Sequence, residues 1–476
     1  MQIRVRSLFF KKGNMAAVRN ADKTELFESM SIPRAVITLA IPTIISSLVT
    51  MIYNLVDTYF VGLVNDPVQN AAVTLAYPII LSLNAVNNLF GVGSSSMMSR
   101  ALGVHDEETA RRCSAFGFYC SVLCGLLYSL FVGLFMTPLL GILGAGVDTM
   151  AATRSYLQWT IVCGAAPAIL NVVMAYMVRA EGASLHASIG TMSGCVLNIL
   201  LDPFFILPWG LNMGAAGAGL ATFLSNCVAC IYFFVLLFFR RRKTVVCVNP
   251  KMFRPSGRIV KGVCGVGIPA AIQNLLNVVG MTILNNCTSA YGTEAVAAMG
   301  IAQKISHVPM MTALGLSQGV QPLIGYNYSS GNIKRMKSAF SFTAKIALTI
   351  MVVIAAVCWI FAGPLITLFM KDALVVEYGT AFLRAFSLGA PFLAVDFIGV
   401  GVYQSCGLGR YALFFALARK LLLEIPLIFI LDAVWPMYGL PYSQAIAELI
   451  LAVAACIVLL RLFRRLESQE SNAAKG

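Results

Sequence analysis

The chain has 476 residues, of which 59% are apolar and only 11% are charged; 34 Lys and Arg outnumber 20 Asp and Glu, leaving a net charge of +14. Ordinary soluble chains carry roughly 25% charged residues, so too few are present here to cover a water-soluble body of this length. The composition excludes a large cytosolic enzyme and points to a polytopic membrane protein. The basic surplus is accordingly read against membrane topology and not as a nucleic-acid signal.

A helix needs about 20 largely apolar residues to cross a bilayer. Twelve such runs follow in chain order, at 35–64, 71–100, 113–143, 156–178, 187–207, 215–239, 262–290, 295–323, 338–370, 379–402, 411–431 and 441–463. The expected fold is an all-α polytopic membrane protein of twelve transmembrane helices. Its expected parts are an amino-terminal segment (1–33), a first six-helix lobe (34–239), a basic linker (240–261), a second lobe (262–463) and a tail (464–476). Met1–Asn14 is short, basic and lacks an apolar core, so no secretory signal is expected, and Met15 offers an alternative start. With the amino terminus placed in the cytoplasm, all but five of the 34 basic residues fall on the cytoplasmic side. Arg154, Lys371 and Arg384 lie outside, and Lys304 and Lys345 fall within helices. Both ends are therefore expected in the cytoplasm. The linker from Arg240 to Lys261 holds eight basic residues and no acid. It reads as a topogenic connection, with a lipid-phosphate contact as the alternative.

The two halves resemble each other. Arg111-Arg-Cys-Ser-Ala-Phe-Gly-Phe118 aligns with Arg335-Met-Lys-Ser-Ala-Phe-Ser-Phe342 at an offset of 224, which also pairs Gly91 with Gly315 and Pro167 with Pro391. Nearby offsets pair Ile41-Pro42 with Ile268-Pro269, Gly182 with Gly407 and Gly214 with Gly439. Six helices per half run the same way through the membrane, so a pseudo-twofold axis along the membrane normal relates the lobes, with a site between them.

Motifs of soluble chemistry are missing. There is no P-loop, no His-Glu-x-x-His, and the three histidines are too dispersed for zinc. No candidate nucleophile–base pair is found. Thirteen cysteines are scattered; Cys227-Val-Ala-Cys230 has redox spacing but sits in an apolar helix and reads as packing. The chain is expected to be neither an enzyme nor a binder of metal or cofactor. Work against a gradient would draw on an ion gradient or on a partner subunit.

Charge inside a membrane is costly, so each instance asks for a reason. Four acids stand out: Asp57, Asp202, Asp396 and Glu424. Desolvation disfavours an ionised carboxylate, which makes each a candidate proton site; the alternative is a neutral packing residue. Asp57 follows Tyr53 and Asn54 on a helix that Pro42 can bend. Asn198 and Asp202, four apart, share one helix face, and Pro203 marks the outer end of that helix. Asp396 lies in an apolar stretch. Glu424 has Arg419 and Lys420 nearby and can be paired structurally. Lys304, beside Gln303, is a candidate to line the cavity or to neutralise an acid there.

These residues carry a resemblance to the multidrug and toxic compound extrusion (MATE) family from about Ser31 to Arg465. The stretches are Ile41-Pro-Thr-Ile, Asn54-Leu-Val-Asp57-Thr-Tyr-Phe-Val-Gly62, Arg179-Ala-Glu-Gly182, Asn198-Ile-Leu-Leu-Asp202-Pro203, Gly214-Ala-Ala-Gly-Ala-Gly-Leu-Ala-Thr222, Gln321-Pro-Leu-Ile-Gly-Tyr-Asn327 and Gly331-Asn-Ile-Lys-Arg335. The pattern looks closest to the bacterial branch that includes staphylococcal multidrug exporters. The resemblance implies two lobes around a V-shaped cavity that exports cationic drugs in exchange for protons or sodium. By the same resemblance Asp57 matches a proton-coupling aspartate, Pro42 the bend, and Asn198, Asp202 and Asn171 a hydrogen-bonded network. Asp396 matches an acid of the second-lobe cation site. Asn277 and Phe392 stand where sodium-coupled members carry a glutamate and a tyrosine, which shifts the expected coupling ion from sodium to the proton. The expected protein is thus a monomeric antiporter of the bacterial plasma membrane, acting on organic cations and drugs, a role tied to antibiotic resistance. The alternatives are a lipid-linked precursor flippase of the same superfamily and a non-transporting receptor or assembly subunit.

Overall fold

The structure, a computed structural model, describes residues 25–64, 66–241 and 243–473. The expectations for Met1–Asn14 and the Met15 start, and the structure of Arg242, lie outside the described residues. Among the described residues all regular structure is helical. Twelve helical rods are laid out as α1 (Ile32–Leu63), α2 (Pro67–Gly103), α3 (Glu107–Leu134, continued by Met136–Ile142), α4 (Val147–Leu157, Gln158–Cys163 and Ala165–Ala180), α5 (Ser184–Ile206) and α6 (Ala215–Arg240). The second six are α7 (Gly257–Ser289), α8 (Thr293–Ser329), α9 (Ile333–Ile360, continued by Ala362–Thr367), α10 (Ala373–Ser405), α11 (Gly409–Leu417, Ala418–Glu424 and Ile425–Val434) and α12 (Tyr442–Ala473).

Five rods start ahead of the apolar stretch that marks them, where a polar side chain closes the first turn. Asp66 accepts from the Val68 amide (2.9 Å) ahead of Pro67. Asp106 accepts from the Thr109 amide (2.9 Å) and, in the other half, Asn332 accepts from the Arg335 amide (3.0 Å). Each side chain satisfies a donor that the helix itself leaves unpaired. α5 continues to Ile206, so Pro203 lies inside the helix and does not end it. Among the described residues nine rods are long and apolar enough to span a membrane alone, and α4 makes a tenth across a 49° bend. The bend falls at Gly164, where a π-helical stretch (Gln158–Cys163) gives way to α-helix. α11 is interrupted by another π-helical stretch, Ala418–Glu424, and α8 carries Gln303, Lys304 and His307 among its apolar residues.

The two halves meet along two seams, α1 on α8 and α2 on α7. At the first, a Cβ on Gly319 would sit 2.8 Å from the Ala40 Cα, so only glycine admits the backbone of α1 there. At the second, Gly267 faces the Leu89 carbonyl in the same way. Both contacts lie toward the face that carries the start of α1 and the end of α12, here called the terminal face.

A short turn, Glu25–Ser29, closes the terminal face between the halves. Phe27 stacks on Tyr326 (4.8 Å between centroids) and packs under Gly182. Arg335 Nε donates to the Phe27 carbonyl and its Nη2 to the Met30 carbonyl, each at 2.6 Å. The connection before α7 is likewise docked. Thr244 Oγ1 and the Val245 amide donate to the Glu181 carboxylate (2.9 Å), and the Cys247 amide donates to Ser114 Oγ (2.8 Å). Cys230 is buried, with its thiol against the Pro167 carbonyl at 3.2 Å.

Candidate functional site

The first half gathers a polar pocket from four helices. Asp57 and Tyr53 lie one turn apart on α1 and face α5 and α6, where Tyr53 meets Thr222, Cys195 and Asp202. Asp202 is fully buried on α5 and close enough to Asp57 for the two carboxylates to repel. One turn earlier Asn198 bridges two elements: its Nδ2 donates to Asp202 Oδ2 (3.0 Å) and its Oδ1 accepts from the Thr222 amide (3.2 Å). The network continues on α6, where Asn226 Nδ2 donates to the Thr222 carbonyl (2.9 Å) and Asn226 Oδ1 accepts from Asn171 Nδ2 of α4 (3.2 Å). Tyr156 of α4 is buried within the field of both acids.

Asp57 Oδ1 is buried with no hydrogen-bond partner among the described residues. Nor, among those residues, does any Lys or Arg pair with Asp57 or Asp202. A buried acid without a cation is expensive, and two side by side are more so. α1 is a continuous helix through Pro42, which sits four turns before Asp57 and removes one backbone hydrogen bond. Asn54 points away from the pocket: it is exposed, and its amide returns to the Thr50 carbonyl (2.8 Å).

The second half holds a different constellation. The π-helical stretch of α11 widens its turn and presents Arg419, Lys420 and Glu424 together, all buried. Arg419 Nη1 lies 3.3 Å from Asp396 Oδ2 of α10 and 3.5 Å from Glu448 Oε1 of α12. Its Nη2 donates to Asn277 Oδ1 of α7, and its guanidinium faces the Phe397 ring at 5.6 Å. Lys420 Nζ donates to both Glu424 oxygens at 2.5 and 2.6 Å. Asp396 is therefore ion-paired, and Glu424 belongs to a buried pair and not to a cavity wall.

Of the other sequence candidates, Phe392 is half-buried on α10 and Gln303 Nε2 donates to Asn285 Oδ1 (3.1 Å). Lys304 and Lys345 are exposed. Among the described residues the buried cations are elsewhere: besides Arg419 and Lys420, Arg179 of α4 is buried at the seam, donating to Gln318 Oε1 of α8 (3.2 Å), while Gln318 donates to the Tyr176 hydroxyl (2.8 Å). Sequence reasoning missed Glu448, Thr222, Asn226 and Tyr156. For Thr222 and Asn226 the four-residue spacing on one helix face was a usable signal; Glu448, a lone acid in an apolar helix, met the same criterion as Asp396.

A duplicated bundle of twelve helices, with buried polar sites in each half, defines this chain as a polytopic membrane protein of the two-lobe transporter architecture. A family model described as MatE matches it twice, over 42–204 and 269–430, and the chain belongs to that family. It is 31% identical over 450 residues to the multidrug export protein MepA of Staphylococcus aureus strain MRSA252, covering 94% of this chain and 98% of the relative. It is 30% identical over 454 residues to MepA of Staphylococcus saprophyticus, with the same coverage. Among solved structures it superposes on an outward-facing multidrug resistance MATE family transporter of the MOP superfamily, with a TM-score of 0.88 and 25% identity, covering 94% of this chain and 98% of that one.

Proposed function

We propose that this chain is a multidrug exporter of the bacterial plasma membrane, working as a monomer, that expels organic cations in exchange for protons taken up on Asp57. The observation that carries the reading is the pair Asp57 and Asp202, two neighbouring acids with no internal cation. Such a pair has room for one positive charge, and a proton and a drug cation compete for it. That competition is the minimum an antiporter needs. Asp396 supports the choice of the first lobe, because its carboxylate already has Arg419. The excess of basic residues on the terminal face supports reading that face as cytoplasmic. Its closure by the two seams and by Glu25–Ser29 then corresponds to a state sealed toward the cytoplasm.

In this scheme a proton arriving from outside neutralises Asp57, the cation leaves, and α1 rearranges about Pro42. Exchange of one proton for one monovalent cation moves no net charge, so voltage does no work. A pH difference of one unit supplies about 1.4 kcal/mol and sustains roughly tenfold accumulation. The test is efflux of a fluorescent organic cation from proteoliposomes, with pH and sodium gradients imposed separately. A pH gradient alone is expected to drive flux, and Asp57→Asn to abolish it. Flux driven by sodium alone, or full pH-driven flux in Asp57→Asn, would overturn the proposal.

A further inference from the structure

On the terminal face the two halves enclose a cavity of about 1100 Å³. Four cations from both halves line it: Arg100 at the end of α2, Arg258 and Lys261 in the first turns of α7, and Arg410 in the first turn of α11. The one acid in the lining, Asp106, is committed to the Thr109 amide as the cap of α3. Arg100 is anchored through Nε on the Ser96 carbonyl (3.2 Å), while its Nη2 has no hydrogen-bond partner among the described residues. The guanidinium lies against Gly407, whose φ of +76° and lack of a side chain let it approach. Tyr328 and Tyr411 add hydroxyls to the wall.

We propose that this cavity binds a phosphate-bearing anion that bridges the two halves. Convergent Arg and Lys side chains with only one, already engaged, acid among them match a multiply charged group rich in acceptor oxygens. The volume fits a headgroup or a small soluble phosphate. The internal repeat supplies an independent argument. It pairs Gly407 with Gly182, and beside Gly182 the chain fills the corresponding place itself with Leu26 and Phe27. There the Glu28 carboxylate accepts from the Tyr326 hydroxyl (2.6 Å) and lies 3.7 Å from His105. Where one half is closed by a tethered acid, its twin presents cations. The segment before α7 does not take that place, since Phe253 packs on Phe116 and Tyr119.

The source of the phosphate is either an anionic lipid at the leaflet surface, to which basic pockets between helices are suited, or a free ion. The experiment is thermal unfolding of the full-length protein in neutral detergent, titrated separately with phosphatidylglycerol, phosphatidylcholine and inorganic phosphate. Phosphatidylglycerol or phosphate, but not phosphatidylcholine, is expected to raise the Tm. Combined replacement of the exposed cations, Arg258→Gln with Lys261→Gln and Arg410→Gln, is expected to raise the midpoint of that titration about tenfold or more, the equivalent of one lost ion contact. Lys251→Gln with Arg254→Gln, which removes two positive charges outside the cavity, is expected to leave it unchanged. A response to phosphatidylglycerol alone identifies the lipid source, and a response to phosphate identifies the free ion. The absence of a response to either, an unchanged midpoint in the triple variant, or an equal loss in the control pair would each overturn the proposal. None of these readouts depends on drug efflux, so the result stands apart from the antiport reading.

Discussion

Where α1 meets α5 in the first half, Thr50 Oγ1 lies 3.6 Å from the Cys195 sulfur. At the repeat-equivalent contact of α7 with α11, Asn277 accepts from Arg419. On α4 Asn171 bonds Asn226, whereas on α10, the counterpart of α4, Asp396 bonds Arg419. One half thus uses neutral polar groups where the other uses ions, and the first half keeps its acids, Asp57 and Asp202, outside that inherited contact. The second half supplies its acids with cations from its own chain. A carboxylate that owns a guanidinium has little to offer a mobile ion, whereas one that owns none needs a visitor. Duplicated lobes can therefore divide labour through a few substitutions at one shared contact.

The largest expected effect falls on the ion cluster. Arg419→Met strands Asp396 and Glu448 in the bundle and is expected to cost about 3–5 kcal/mol, the usual penalty for breaking a buried pair. It should appear as a lower Tm and loss of monodisperse protein. Adding Asp396→Asn and Glu448→Gln to that variant should restore most of the loss; a stable single variant would remove the contrast between the halves. Next is Asn277→Ala, which deprives Arg419 of a neutral acceptor and is expected to cost about 1.5–3 kcal/mol, as for hydrogen bonds to charged groups. Equal stability of this variant and wild type would show that Arg419 is held by its carboxylates alone.

A smaller effect distinguishes the two helix caps. Asp106→Ala and Asn332→Ala are each expected to cost about 1 kcal/mol at neutral pH. Only the first cap titrates: the hydrogen bond from Thr109 holds the Asp106 carboxyl below its ordinary range. Its stabilisation is complete above the ordinary carboxylate value near 4 and is lost as pH falls through the lowered one. Asp106→Ala and wild type should accordingly converge in acid, while the Asn332→Ala deficit persists. The smallest change in stability is expected for Asp57→Asn, which removes a repulsive neighbour of Asp202 while keeping its size. Its Tm should match or slightly exceed that of wild type even as pH-driven flux disappears, which separates a transport role from a structural one.

Much of this molecule is legible in the chain. Twelve apolar runs mark twelve rods, and the repeat of Arg111–Phe118 in Arg335–Phe342 announces two like halves. Asn198 and Asp202 share a face because helical spacing requires it. Helix ends were less legible. α7 begins at Gly257, before its apolar run, because Ser256 caps it through the Ile259 amide. Asp396 looked like an unpaired acid because its partner Arg419 sits on another helix, and spacing along one helix says nothing about which helices will touch.

Hydropathy, charge bias and duplication thus determined by themselves the number of rods, their grouping and the rarity of acids among them, since each depends only on residue type and order. Tertiary structure alone decided which acids receive a cation: Asn277 and Arg419 are 142 residues apart, and Arg179 finds Gln318 across the seam between the halves. Electrostatic partnership in a low-dielectric bundle is set by distances of a few ångströms between side chains on different helices. That packing, and no local pattern, separates the paired Asp396 from the unpaired Asp57.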